Sequence, residues 1–80
     1  MEALAKLNLL KSFLKKIQCL QGYGDMNSYV IAYEYKQLTK TQDNKVDKII
    51  DAFSSPRTWY AGKVKFIDVI ETHIGDIYNL

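Results

Sequence analysis

The segment from residue 56 to residue 78 repeats its apolar side chains at three- and four-residue intervals, and this repeat constrains the fold more than any other feature of the sequence. The preceding Ser-Pro pair, at residues 55 and 56, is typical of a helix start, because serine caps free N–H groups and proline suits the first helical position. The apolar positions cover about half of the helix circumference and are Trp59, Tyr60, Phe66, Ile67, Val69, Ile70, Ile74 and Ile77. The pattern predicts one long helix over residues 56–78, in which Gly62 marks a bend or a close helix contact.

The sequence of residues 3–20 predicts a second long amphipathic helix. Its apolar side chains fall on one side of a helical wheel and are Leu7, Leu9, Leu10, Phe13, Leu14, Ile17 and Leu20. Lys11, Lys15 and Lys16 fall on the other side. Gly22 is the expected C-terminal signal for this helix. The apolar side is wide enough to contact two neighbouring elements, and we expect the first and last helices to be partners in the core.

Residues 26–40 are the ambiguous part of the sequence. Asp25 or Asn27 would cap a helix there, and aromatic and aliphatic side chains recur four residues apart. Residues 29–35 are also rich in aromatic and β-branched side chains, as a strand would be. We favour a helix, because a strand must pair with a second strand. Only residues 59–66 could supply that second strand.

The third segment, residues 44–53, carries a narrow apolar stripe, with Asp43 or Thr41 as its N-cap. The four predicted helices span about residues 3–20, 26–40, 44–53 and 56–78. Short loops between amphipathic helices predict a single all-α domain over residues 1–80, arranged as a small antiparallel four-helix bundle or an orthogonal helical array.

Composition excludes several classes of protein. With 80 residues and a net charge of +2, the chain forms one core and is close to neutral. A single cysteine rules out an internal disulfide, and no apolar run is long enough to span a membrane. The leucines near the N-terminus alternate with lysines, unlike those of a signal peptide, so we expect a cytoplasmic protein.

The residue types needed for catalysis or for metal binding are scarce. His73 lies on the apolar side of the last helix, where a core-edge histidine with one hydrogen bond is the simplest interpretation. Cys19 lies near the end of the first helix, a position that does not activate a thiol. Asp43, Asp47 and Asp51 recur every four residues but alternate with lysines, as on a solvated face. We therefore expect no enzyme, no metal site and no cofactor.

Aromatic side chains favour a contact surface. Six Tyr, three Phe and one Trp exceed what one small core buries, and Tyr and Trp suit partly buried interfaces. The leading hypothesis is a non-enzymatic protein–protein interaction or regulatory module, self-associating as a homo-oligomer through the wide apolar faces of its first and last helices. The candidate partner-binding residues are Tyr29, Tyr33, Trp59, Tyr60 and Tyr78.

Two alternatives remain. The first is a nucleic-acid-binding regulator, although a helix-turn-helix alignment of the third and fourth segments fails at Pro56, Gly62 and Lys65. Its possible phosphate contacts are Lys11, Lys15, Lys16, Arg57, Lys63 and Lys65. The second alternative is a membrane-surface protein of the immunity type, acting through its basic first helix.

Overall fold

The computed structural model describes residues 2–40 and 44–79, and these residues form four α-helices without a strand. Helix α1 spans Glu2–Gln18, α2 spans Asn27–Thr39, α3 spans Asn44–Ala52 and α4 spans Pro56–Tyr78. The all-α prediction is confirmed, and each helix boundary lies close to the predicted one. The strand alternative for the second segment is wrong.

The start of α4 follows the predicted capping chemistry. The hydroxyl oxygen of Ser55 accepts a hydrogen bond from the backbone N–H of Arg57 at 3.3 Å, and Pro56 occupies the first helical position. The hydroxyl of Thr58 donates to the carbonyl oxygen of Ala52 at 2.6 Å. These bonds satisfy free groups at the end of α3 and the start of α4, so the two helices are joined by a short, well-defined corner.

The connection between α1 and α2 corrects the prediction for Gly22. The glycine with a positive φ is Gly24, at 96°, and the backbone N–H of Asp25 donates to the carbonyl oxygen of Gly22 at 3.1 Å. This geometry is a β-turn that needs glycine at its third position. The carboxylate of Asp25 then accepts from the backbone N–H of Asn27 at 3.0 Å, which satisfies a free donor at the start of α2. The predicted caps of α3, Thr41 and Asp43, lie outside the described residues.

Each helix contacts its neighbours in the chain, and α4 closes the arrangement on α1. The contact between α1 and α4 is the most extensive, which confirms that the first and last helices are core partners. The ammonium group of Lys63 donates to the carbonyl oxygen of Leu20 at 3.1 Å, so the end of α1 lies beside the first half of α4. The most deeply buried core side chains include Leu10, Phe13, Ile17, Tyr35, Val46, Ile49, Phe53, Phe66 and Ile70.

Gly62 lies at a close contact between α3 and α4. A Cβ atom added to Gly62 would lie 2.9 Å from the Cβ of Ala52 and 3.3 Å from two ring carbons of Phe53. Real Cβ atoms are not found that close to other carbons, so only glycine lets the two helices approach to this distance. Of the two predicted roles for Gly62, the structure confirms the close contact.

Candidate functional site

One flank of α4, beside the side that faces the core, carries a row of apolar side chains. Tyr60, Val64 and Tyr78 are exposed, at 70%, 48% and 65%, while Ile67 and Ile74 are half-buried and pack against the core. The row follows alternating four- and three-residue steps, and we call it the outer α4 face: Tyr60, Val64, Ile67, Glu71, Ile74 and Tyr78. This spacing places all six positions on one side of the helix.

Charged side chains divide α4 into two halves of opposite sign. Residues 56–66 contain three basic side chains and no acidic one, whereas residues 67–78 contain three acidic side chains and no Lys or Arg. Arg57 and Lys63 flank the outer α4 face in the basic half, and Glu71 lies within it in the acidic half. The face therefore has a positive end and a negative end.

Helix α1 contributes little to an exposed apolar surface. Leu10, Phe13 and Ile17 are almost fully buried, and in the described part of α1 the exposed large apolar side chain is Leu4, at 56%. Most side chains of the wide apolar side predicted for the first helix therefore pack in the core of the domain. Of the two helix faces proposed from the sequence, α4 is the one that remains available.

The five aromatic residues proposed as partner contacts are not brought together. Tyr60 and Tyr78 lie on the outer α4 face, while Tyr33 is exposed on α2 beside Met26 and Val30. Tyr29 is half-buried, with its ring edge-on to that of Phe53 at 6.3 Å between centroids. Only the two α4 tyrosines share one helix face.

Trp59 is a core residue, so its assignment as a partner contact is corrected. It is 5% exposed, and its indole N–H donates to the hydroxyl oxygen of Ser28 at 3.1 Å. Its ring packs against Phe53 at 6.1 Å between centroids. Trp59 and Tyr60 are neighbours in sequence but differ by about 100° around the helix, which places one inside and the other outside.

The basic side chains proposed as phosphate contacts do not share one face. Lys15 and Lys16 line a groove of about 560 Å³ between α1 and α2, together with the acidic Asp25 and Glu34. The ammonium group of Lys63 donates to the carbonyl oxygen of Leu20 and lies 5.8 Å from the centroid of the Trp59 ring. The exposed Lys11 and Arg57 lie on separate helices, and Lys65 lines a different cleft. This dispersion does not form the continuous basic stripe of a nucleic-acid interface.

The cleft that contains Lys65 lies between α3 and α4 and has a volume of about 320 Å³. Its apolar lining consists of Val46, Ile49 and Val69. The polar lining consists of Lys45, Lys48, Lys65, Asp68, Thr72 and His73. The sequence gives no sign of this cleft, because Lys45 and Lys48 indicate an ordinary solvated face until the packing of α3 on α4 is known.

His73 is held at the edge of the core by Tyr35. The two rings are stacked with centroids 5.8 Å apart and planes 5° apart, and the Tyr35 hydroxyl is hydrogen-bonded to His73 Nδ1. Burial raises the pKa of the Tyr35 phenol above its usual value, so the hydroxyl keeps its proton at neutral pH. The bond between Tyr35 and His73 is the single hydrogen bond expected of a core-edge histidine.

The remaining candidates from the sequence are dispersed. Cys19 is exposed and unbridged. The Asp47 carboxylate lies 2.6 Å from the ammonium group of Lys36, and Asp43 lies outside the described residues. Within residues 2–40 and 44–79 there is no cluster of three potential metal ligands, and none of the helices there is long and apolar enough to cross a bilayer. Comparisons with protein-family models, with curated proteins and with solved structures found no match.

Proposed function

We propose that this protein is a non-enzymatic helical interaction module that self-associates through the outer α4 face. The observation that carries the proposal is the exposure of that face. Five of its six positions are apolar, and three of these side chains are about half or more exposed in the single chain. The alternating four- and three-residue spacing is that of a helix that packs against another helix.

The charge pattern favours a second copy of this chain as the partner, in antiparallel orientation. A two-fold axis across the middle of α4 brings the basic half of one helix beside the acidic half of the other. Glu71, which interrupts the apolar row, then lies near the half that carries Arg57 and Lys63 in the second copy. A parallel pairing would instead place like charges together, which is destabilising.

The size of the face indicates a weak association. A helix of 23 residues is about 34 Å long. One helix–helix contact of this length buries less surface than the roughly 1,200–2,000 Å² that is typical of stable complexes. We therefore expect a dimer with a dissociation constant in the micromolar range, whose formation depends on local protein concentration.

Sedimentation equilibrium over a series of protein concentrations tests the proposal. The wild-type protein is expected to show a monomer–dimer equilibrium, and Tyr60→Arg and Val64→Arg are expected to weaken dimerisation at least tenfold. Tyr33→Arg is the matched control, because it places the same charge at a similarly exposed tyrosine on α2. A wild-type protein that stays monomeric at millimolar concentration, or equal weakening by Tyr33→Arg, would contradict the assignment.

A further inference from the structure

The groove between α1 and α2 carries charges of opposite sign on its two walls. Helix α1 supplies Lys15 and Lys16, and α2 with the turn before it supplies Asp25 and Glu34. Within residues 2–40 and 44–79 the side chains of Lys15 and Glu34 have no salt-bridge partner, so the two walls do not neutralise each other. Both signs of charge therefore remain available to a molecule that lies in the groove.

An exposed apolar strip lies along the acidic wall. Val30 lines the groove and is 50% exposed, and the exposed Cys19 at the end of α1 lines it too. Met26 and Tyr33 lie four residues before and three residues after Val30, and both are exposed, so they continue the apolar side of α2 beyond the groove. These exposed groups, rather than the buried side chains beneath them, are the ones that a partner can cover.

The two walls have the dimensions of two helical turns each. Their lining positions follow three- and four-residue steps, so each wall is one side of a helix and is about 11 Å long. The positions are Ser12, Lys15, Lys16 and Cys19 on one wall and Asn27, Val30, Ile31 and Glu34 on the other. The groove between them has a volume of about 560 Å³. Two helix sides arranged in this way form the surface on which a third, amphipathic helix packs.

A second copy of this chain does not match the charges of the groove. The outer α4 face separates its charges along the helix, with a basic first half and an acidic second half. The groove separates its charges across its width, so α4 would set like charges together along part of each wall. The complementary ligand is a helix with acidic side chains along one flank and basic side chains along the other.

We propose that the α1–α2 groove binds an amphipathic helix of another protein. The apolar stripe of that helix covers Val30, its acidic flank faces Lys15 and Lys16, and its basic flank faces Glu34. The site belongs to α1 and α2, so it goes beyond the proposed self-association through α4 and does not depend on it.

Fluorescence anisotropy with three labelled synthetic helices tests the proposal. Each peptide is about 12 residues long, enough for the groove at 1.5 Å per residue, and a side-chain cross-link holds it helical. The three share one leucine stripe and differ in their flanks, which carry Glu on one and Lys on the other, Glu on both, or Lys on both. The mixed peptide is expected to bind the wild-type protein saturably and about threefold to fivefold more tightly than either of the others.

A charge reversal on the acidic wall gives the sharper result. Glu34→Lys replaces the free acidic charge of α2 with a basic one, and this variant is expected to prefer the peptide with two Glu flanks. Glu71→Lys is the matched control, because it makes the same change at an exposed glutamate on α4 and should keep the wild-type preference for the mixed peptide. Tyr60→Arg, which impairs only the proposed self-association, is also expected to bind the mixed peptide as the wild type does.

Each contrary outcome overturns the proposal. No saturable binding of the mixed peptide, or equal affinity for all three peptides, would show that the walls do not select a helix by its charges. An unchanged preference in Glu34→Lys, or a loss of binding in Tyr60→Arg, would place the peptide on another surface. Displacement of the mixed peptide by phosphatidylcholine vesicles would assign the apolar strip to a lipid surface, and displacement by excess unlabelled protein would assign the groove to a second copy of this chain.

Discussion

The indole N–H of Trp59 donates a hydrogen bond to the hydroxyl oxygen of Ser28 at 3.1 Å, and both side chains are buried. This bond joins the first turn of α4 to the first turn of α2 across 31 residues of sequence. The serine hydroxyl supplies the acceptor that a buried indole requires, because an unpaired N–H in the core would be costly.

Replacing Ser28 with alanine is expected to destabilise the protein. The change leaves the indole N–H of Trp59 buried without an acceptor, which costs about 1–3 kcal/mol. The measurement is the free energy of unfolding from denaturant titration. Ser12→Ala is the control, because Ser12 is exposed on α1 and its replacement should change stability by less than about 0.5 kcal/mol. Equal stability of the two variants would show that the bond contributes nothing.

The helices could be predicted from the sequence because their signals are local. Ser55 and Pro56 mark the start of α4, and the apolar repeat determines which residues face inward. The sides of the helices that remain exposed depend on packing between distant segments. Trp59 and Tyr60 are both aromatic and adjacent in sequence, yet Trp59 is buried and Tyr60 is exposed. The acceptor for the buried indole, Ser28, belongs to another helix, so packing between distant segments decides which of the two is buried.

The α3–α4 cleft was unpredictable for a related reason. Lys48 and Lys65 belong to different helices, and nothing in the sequence states how close α3 and α4 come together. The one local hint is Gly62, which permits the close approach of these helices but does not specify which side chains gather beside it. The pairing of Tyr35 with His73, 38 residues apart, is equally a product of packing.

Two glycines of α4 are expected to respond to alanine in opposite directions. An added Cβ at Gly62 would lie 2.9 Å from the Cβ of Ala52, and the overpacking cost of about 1–3 kcal/mol exceeds the gain in helix propensity of about 1 kcal/mol. A Cβ added at Gly75 would meet no neighbouring side chain of the described residues within 4 Å, so Gly75→Ala gains propensity without a clash and stabilises by about 0.5–1 kcal/mol. Thermal unfolding of the two variants measures the contrast, and a stabilised Gly62→Ala would refute the close contact.

The buried phenol of Tyr35 is expected to make stability fall in alkali. Burial raises the pKa of Tyr35 in the folded state, whereas in the unfolded chain it is about 10. The unfolded state therefore loses its proton first, so the contribution to stability is complete below about pH 10 and decreases as the pH rises above that value.

The variant Tyr35→Phe isolates this effect. Between about pH 9 and pH 11 the wild-type protein should lose about 1.4 kcal/mol more unfolding free energy than the variant does, because above about pH 10 unfolding releases the phenol proton. Parallel curves for the two proteins would mean that the Tyr35 phenol ionises in the folded state as freely as in the unfolded chain. At neutral pH the variant should be about 1–2 kcal/mol less stable, since it loses the hydrogen bond to His73.

A charge exchange tests the antiparallel orientation of the proposed α4 pair. A two-fold axis at the middle of α4 sets Lys63 of one copy beside Glu71 of the other. Lys63→Glu and Glu71→Lys each place like charges together in the dimer, and because every contact occurs twice about the two-fold axis, each is expected to weaken dimerisation roughly fivefold to tenfold. The double variant Lys63→Glu/Glu71→Lys restores opposite charges across the interface and should regain most of the wild-type affinity. Lys63→Glu also loses the hydrogen bond to Leu20, so the free energy of unfolding of each variant is measured beside its dimerisation. Sedimentation equilibrium gives the dissociation constants, and a double variant weaker than either single one would point to a parallel pair or to a different surface.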